Sequence, residues 1–156
     1  MKLYFYQTKI ARIGIAENSR KITNVYFQSD AIPENVEITE TALIREAFFE
    51  LQAYLAGELK EFSLPLEPDG TVFRQSVWDA LKQIPYGKTA SYKDIAISIG
   101  NPLACRAVGL ANNKNPIPIF IPCHRIIGVN GKLTGYRGGV EIKETLLELE
   151  KQHGSL

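Results

Sequence analysis

Ser91-Tyr92-Lys93-Asp94-Ile95-Ala96-Ile97-Ser98-Ile99-Gly100-Asn101-Pro102-Leu103-Ala104-Cys105-Arg106-Ala107-Val108-Gly109-Leu110 is the stretch whose reading decides the fold. Ser91 suits a helix N-cap, and Asp94, three residues on, is a capping-box variant. Ile95, Ala96 and Ile99 give that helix an apolar side, and Gly100 stops it. Asn101-Pro102 pairs a capping residue with a proline at the first helical position, so a second helix is expected from there to about residue 112. Two short helices, a tight Gly-Asn turn and a basic residue on the second helix make a helix-turn-helix pattern. The second helix is built of small residues, Ala104, Ala107, Gly109 and Ala111, which let a backbone approach another surface closely. Arg106 projects beside that thin wall. A tightly packed core helix with Arg106 solvated or salt-bridged fits the pattern as well.

Upstream, Thr71 is a plausible N-cap for a helix with Phe73, Val77, Leu81 and Ile84 on one face, ended by Pro85-Tyr86-Gly87. Between Leu64 and Gly70 lie Pro65, Pro68 and Asp69-Gly70, which break regular structure, so the boundary is placed there. Two domains result, 1–68 and 69–156. The first reads as strands at 3–7, 11–16 and 22–28, then a helix at about 40–57 with Leu43, Ala47, Leu51 and Leu55 as its apolar face. Downstream, Asn115-Pro116-Ile117-Pro118 breaks the second helix of the pair, and Ile119-Phe120-Ile121 reads as a short strand. Pro122-Cys123-His124-Arg125, Ile126-Ile127, a Gly-rich loop through Gly139 and a last helix at about 140–151 complete the chain. The class is α+β.

Hydrophobic residues make up 45% of the chain, enough for a real core. No run is long and apolar enough for a membrane span, and residues 1–6 alternate too much for a signal peptide. Two cysteines, Cys105 and Cys123, are too few for a secreted disulfide scaffold. The chain therefore reads as cytoplasmic. The two histidines, His124 and His153, lack zinc-ligand spacing relative to the cysteines, so no metal is expected. Residues 1–70 carry 7 Lys and Arg against 11 Asp and Glu, a net of −4; residues 71–156 carry 11 against 6, a net of +5. That asymmetry suits a second half that meets a polyanion, and chance scatter suits it as well.

Cys123 is the candidate nucleophile. A free thiol ionises only a few per cent at neutral pH, so a reactive one needs a base or a positive surrounding. His124 and Arg125 follow it, and a bridging water could relay the proton to His124. An oriented base has a third group behind it. On the last helix Ile142, Leu146 and Leu149 form the apolar stripe, and Glu150 lies on or beside it. Buried there, its carboxylate would need a partner such as His124. Glu144 and Glu148 fall off the stripe. Asn115, before a proline, can brace two turns through backbone groups. Gly135, Gly138 and Gly139 surround Tyr136 and Arg137 in a loop suited to closing over a flat ring.

Arg106-Ala107-Val108-Gly109, Asn115-Pro116-Ile117-Pro118, Ile121-Pro122-Cys123-His124-Arg125 and Gly135-Tyr136-Arg137-Gly138-Gly139, with Lys143, Leu146-Leu147 and Glu150, resemble the O6-alkylguanine-DNA alkyltransferase family. The resemblance covers about residues 71–151; the first half shares only size and the β-then-helix layout. It implies a ribonuclease-H-like N-terminal sheet with helix, and a C-terminal helical domain of winged-helix or helix-turn-helix type. It implies a DNA repair protein that moves the alkyl group of O6-alkylguanine onto Cys123, each molecule reacting once, with no cofactor. His124 would be the base, Glu150 its orienting partner and Asn115 the brace. Arg106 would enter the duplex in place of the flipped nucleotide, Tyr92 would help turn it, and Ala107 and Gly109 would lie in the minor groove. Tyr136 and Pro118 would line the alkyl pocket, the Arg137 backbone would donate toward O6, and carbonyls of Cys123 and Ile126 would accept from the exocyclic amine. The partner would be double-stranded DNA, with O4-alkylthymine a second candidate lesion, and the protein a monomer. Leu110 and Arg137 depart from many relatives, at the groove and the pocket respectively. The N-terminal zinc ligands of some members are absent, and Cys123 stands where a non-catalytic branch has Trp. The rival readings are a lesion-binding module and a cysteine hydrolase.

Overall fold

The computed structural model describes residues 1–128, 130–133 and 135–154. Val129 and Thr134, within the Gly-rich loop, lie outside the described residues.

The first half opens with β1 (Lys2–Gln7), β2 (Arg12–Asn18) and β3 (Lys21–Tyr26). They form an antiparallel meander, with Leu3 opposite Ala16 and Ile15 opposite Val25. A two-residue strand not foreseen from sequence, β4 (Glu37–Ile38), adds parallel to β1, so the order is β3-β2-β1-β4. The strand period of two separates the faces. Ile13, Ile15, Ile22 and Val25 enter the main core, while Leu3, Ala16 and Tyr26 pack under the segment carrying Ile32 and Val36.

Helix α1 (Ala42–Leu55) covers the main-core face and is capped by Thr41, whose hydroxyl accepts from the Ile44 amide at 3.1 Å. Its buried residues are Ile44, Ala47, Leu51, Tyr54 and Leu55. The stripe is therefore turned away from Leu43, which is only partly buried, and takes in Tyr54, a residue absent from the expected apolar face. Residues 65–67 run beside β3: the Ile22 amide donates to Pro65 O at 2.8 Å and the Glu67 amide to Ile22 O at 2.8 Å.

Helix α2 (Val72–Lys82) starts at Thr71 as expected and buries Val77, Trp78 and Leu81. Trp78 Nε1 donates to the Ala111 carbonyl at 2.9 Å and ties α2 to the helix pair. That pair is α3 (Tyr92–Ser98) and α4 (Cys105–Asn113). The Ser91–Asp94 capping box is fully formed, with bonds of 2.9 and 3.0 Å. Gly100 adopts φ +79, which ends α3 at low cost. The expected start of the second helix at Asn101-Pro102 is corrected. Asn101 accepts from the Ala104 amide in a turn, and α4 begins four residues later than Asn101, at Cys105, without a side-chain cap.

The strand expected at Ile119-Phe120-Ile121 is a turn instead. The Ile121 amide donates to Ile117 O at 2.9 Å, Pro118 bridges Ile121, and Ile119 takes φ +76. A 3-10 turn, Cys123–Arg125, follows, then β6 (Ile126–Ile127), parallel to β5 (Ala90–Ser91). The last helix, α5 (Val140–His153), buries Lys143, Leu146 and Glu150. The expected stripe of Ile142, Leu146 and Leu149 is thus displaced by one residue, and Glu150 lies on the buried line itself.

The two halves share polar and aromatic contacts. The Val25 amide donates to Pro116 O at 2.8 Å. Arg137 pairs with Asp30, donates to Val25 O and Asn115 O at 3.3 and 3.2 Å, and lies over the Phe27 ring. A Cβ on Gly138 would come within 2.8 Å of that ring, so only glycine seats the loop here. Among the described residues no helix is long and apolar enough to cross a membrane.

Replacing Ser91 with Ala should destabilise the protein by about 1 kcal/mol through loss of the cap. A thermal midpoint lowered by about 2–4 °C is the expected readout.

Candidate active site

The thiol is aimed by three nested turns. Asn115 Oδ1 accepts from the Ile117 amide at 3.0 Å, and its Nδ2 donates to Ile121 O at 2.9 Å, so one side chain spans the segment before Cys123. The Cys123 amide donates to Ile121 O at 2.8 Å around Pro122 (φ −79, ψ 63), an inverse γ-turn. The Arg125 amide then donates to Pro122 O at 3.0 Å. Cys123 is 5% exposed, at a narrow cleft it shares with Asn112, Asn115, Pro118, Tyr136 and Arg137. Burial pushes its thiol pKa up, against smaller lowering contributions from Asn115, Arg137 and Lys143.

His124 and Arg125 point into the interior. His124 Nε2 lies 2.7 Å from Glu150 Oε2. Arg125 grips the same carboxylate through Nε at 2.8 Å and Nη2 at 3.0 Å, and sends Nη1 to Ile84 O at 2.7 Å. The Gly87 amide reaches Glu150 Oε1 at 3.2 Å, and the Tyr54 hydroxyl reaches Oε2 at 2.5 Å. Burial would raise the Glu150 pKa, but His124 and Arg125 overcome it and hold the carboxyl down at about 2. Burial pushes the His124 pKa down, opposed by Glu150. At neutral pH the site therefore rests as a neutral thiol, a neutral imidazole and a carboxylate.

The other anticipated residues occupy two regions. Tyr136 is buried beside Cys123, its ring edge-on to Phe27 at 5.7 Å. Ile126 is buried in β6, and Pro118 is buried in the turn before Cys123. The Arg137 side chain, at the edge of the cleft, pairs with Asp30. Arg106, Ala107 and Leu110 are exposed on α4, and Gly109 faces Tyr92, to whose ring a Cβ would lie 3.7 Å away. Of the small residues only Ala107 is fully open, Ala104 and Gly109 being half-buried and Ala111 buried, so α4 is packed on one side and exposed on the side carrying Arg106, Ala107 and Leu110. Tyr54 escaped the sequence reading of the centre, and Arg125 and Lys143 entered it only as motif members without a role. Ala47, Leu51 and Tyr54 keep i, i+4, i+7 spacing, and Lys143, Leu146 and Glu150 keep i, i+3, i+7; those registers were the available signal. Among the described residues no three His, Cys, Asp or Glu side chains are grouped to hold a metal ion.

Fold and site together define a class: a helix-turn-helix module that carries a buried Cys–His–Glu centre and leans on a small α/β domain. Family models agree. Residues 72–152 match the 6-O-methylguanine DNA methyltransferase DNA-binding domain, and residues 1–68 match the ribonuclease-like domain of the same proteins. A methylated-DNA–protein-cysteine methyltransferase of Methanosarcina acetivorans is 50% identical over 93% of this chain and 95% of its own. The constitutive one of Bacillus subtilis is 49% identical over 93% and 92%. The crystal structure of Mycobacterium tuberculosis OGT in complex with DNA superposes with a TM-score of 0.94 at 45% identity, covering 98% of this chain and 94% of that one. The chain belongs to the methylated-DNA–protein-cysteine methyltransferase family.

Glu150 is ionised in the fold near pH 2 and above, whereas an unfolded glutamate takes up its proton near 4.5. Its contribution is complete above about pH 4.5 and is lost as pH falls from there toward 2, an amount of about 3 kcal/mol. A pH series of denaturant melts should show this acid loss in the wild type. In Glu150→Gln it should be flattened, with the destabilisation already present at pH 7.

Proposed function

We propose that the protein repairs O6-alkylguanine in double-stranded DNA by moving the alkyl group to Cys123, each molecule reacting once. The observation that carries the reading is the Cys123 thiol on a braced turn, next to an imidazole anchored by a buried carboxylate, with α4, exposed on the side carrying Arg106 and Ala107, alongside. The thiol sulfur attacks the alkyl carbon; a C–S bond forms and the C–O bond breaks with its electron pair moving to O6. The thiol proton passes through His124, by way of a water, and the departing guanine is reprotonated. No cofactor enters this balance, because the protein is the acceptor.

A target atom inside a stacked duplex is out of reach of a thiol in a cleft, so the nucleotide must turn out. Arg106 takes the space it leaves, Tyr92 guides it, and Ala107 and Gly109 meet the minor groove. Tyr136 and Pro118 flank the alkyl group. The Arg137 backbone donates to O6, and the Cys123 and Ile126 carbonyls accept from the amine. The proposed site needs no residue from a second copy, and the protein acts as a monomer under this proposal. DNA as substrate and two unpaired cysteines suit the cytoplasm. O4-alkylthymine presents the same alkyl–oxygen chemistry and is a second substrate under this proposal.

Incubation with duplex DNA containing O6-methylguanine should raise the intact mass by about 14 Da, the exchange of one hydrogen for one methyl in covalent transfer. Cys123→Ala should gain nothing. An unchanged wild-type mass beside a persisting lesion refutes the reading.

Arg106→Ala should slow repair in duplex DNA by about 10-fold or more, while leaving reaction with free O6-alkylguanine close to wild type, because unstacking is the step it serves. Single-turnover rates on the two substrates make the comparison. Equal losses on both refute the finger role.

A further inference from the structure

Glu150 accepts from five donors, and one of them comes from the other half of the chain. Tyr54 lies on α1, 96 residues from Glu150 in sequence, and is wholly buried. Its hydroxyl is 2.5 Å from Glu150 Oε2 and 3.3 Å from His124 Nε2. The three groups form a closed triangle, because His124 Nε2 is itself 2.7 Å from Oε2.

Proton accounting fixes the roles. A carboxylate accepts only, so the Tyr54 hydrogen goes to Oε2 and the tyrosine oxygen keeps its lone pairs. His124 Nε2 then faces two acceptors, the carboxylate and that oxygen. It must carry the hydrogen, which leaves Nδ1 as the bare nitrogen of the neutral ring. Nδ1 is buried and has no hydrogen-bond partner among the described residues. Burial and the Glu150 charge push the Tyr54 pKa well up, so the hydroxyl stays protonated and keeps donating.

We propose that Tyr54 is a positioning residue through which the N-terminal domain sets the alkyl-transfer centre: it holds Glu150 and, with it, fixes the His124 tautomer that leaves Nδ1 as the base. The assignment rests on the transferase reading above. The ribonuclease-like half is then more than a support, because the centre is incomplete without α1. The charged and titratable groups acting on His124 are Glu150 and Lys143 from α5, Arg125 from its own turn and Tyr54 from α1, with Tyr86, from the turn after α2, packed behind Tyr54 and Arg125.

Tyr54→Phe keeps the ring against Phe62, at 5.3 Å, and against Tyr86, at 6.1 Å, and deletes only the hydroxyl. Two effects on the imidazole oppose each other. Loss of the 2.5 Å donor leaves Glu150 a stronger acceptor and favours imidazolium; loss of the 3.3 Å contact disfavours it. The short bond to a charged group wins. The His124 titration should move to higher pH.

The test uses the full chain, wild type and Tyr54→Phe. Only two histidines are present, so 15N-histidine spectra are assigned with a His153→Gln variant. Wild type should show His124 as the Nε2–H tautomer. In Tyr54→Phe its midpoint should rise by about 0.5 to 1 on the pH scale. The acid limb of the single-turnover rate on duplex O6-methylguanine should rise with it, about 3- to 10-fold slower at its lower end, with DNA affinity unchanged. Superimposable titrations and rate profiles overturn the proposal. So does an Nδ1–H tautomer in the wild type, a measurement that stands even if the variant fails to fold. A wild type that accepts no methyl group refutes the transferase reading alone, since the imidazole spectra still decide Tyr54's hold on the centre.

Discussion

A carboxylate removed from water costs several kcal/mol unless its lone pairs are filled and its charge is met. Glu150 satisfies both conditions with donors from three separate segments: Arg125 and His124 from the turn after Pro122, Gly87 from the loop leaving α2, and Tyr54 from α1. Each donor fixes the element that carries it, and Glu150 holds α5 in place among them. Arg125 balances the charge and spans to Ile84 O, so the end of α2 is held to the same point. Removing the carboxylate would leave a buried guanidinium and a mis-set imidazole together, which is why the interaction organises both domains and not merely the centre.

The segment before Cys123 answers a backbone problem. Residues 115–122, buried apart from the half-buried Pro116, form neither helix nor extended strand, so their amides and carbonyls need other partners. Asn115 supplies two through its side chain, and the inverse γ-turn at Pro122 closes the next. Ile119 at φ +76 is a β-branched residue in the left-handed region, a conformation that costs of order 1–3 kcal/mol and persists only where the surroundings impose it. Its burial at 1% exposure, and the Ile121–Ile117 bond across it, do so. The strain lies four residues before Cys123, where under the proposed reading a fixed thiol direction is worth most.

Much of this was legible in the chain. Ser91 with Asp94, Thr71 and Gly100 act through their own side chains or lack of one, so their caps and stops could be read directly. The Asn115 brace was readable for the same reason. The Asn101-Pro102 start failed because those residues have the same local chemistry in a turn as at a helix N-terminus, and the turn kept the Ala104 amide. Ile119-Phe120-Ile121 failed because apolar runs describe burial and not backbone angle. Tyr54 was missed, and Lys143 left without a role, for one reason: a stripe drawn through aliphatic residues skips a buried polar member whose partners are distant in sequence. Nothing local to α1 says that a carboxylate 96 residues away waits for its hydroxyl.

The resting protonation state bears on why such a thiol can be used only once without being wasted. Burial raises the Cys123 pKa and lowers that of His124, so the pair stays neutral rather than separating into thiolate and imidazolium. A neutral thiol, 5% exposed, is a poor target for oxidants and stray electrophiles, since the thiolate is the reactive form. In the proposed transfer, ionisation would then accompany entry of a substrate whose departing group can take the proton. The exposed face of α4 lies outside that cleft, with Arg106 and Ala107 in solvent and Cys123 inside. Under the proposed reading, in which a duplex rests on α4, a stacked base would stay out of reach of the sulfur, and only a base turned out of the helix would meet both surfaces at once. Selectivity would then follow from geometry before any contact to the lesion is counted, since bases that stay stacked would never reach the thiol.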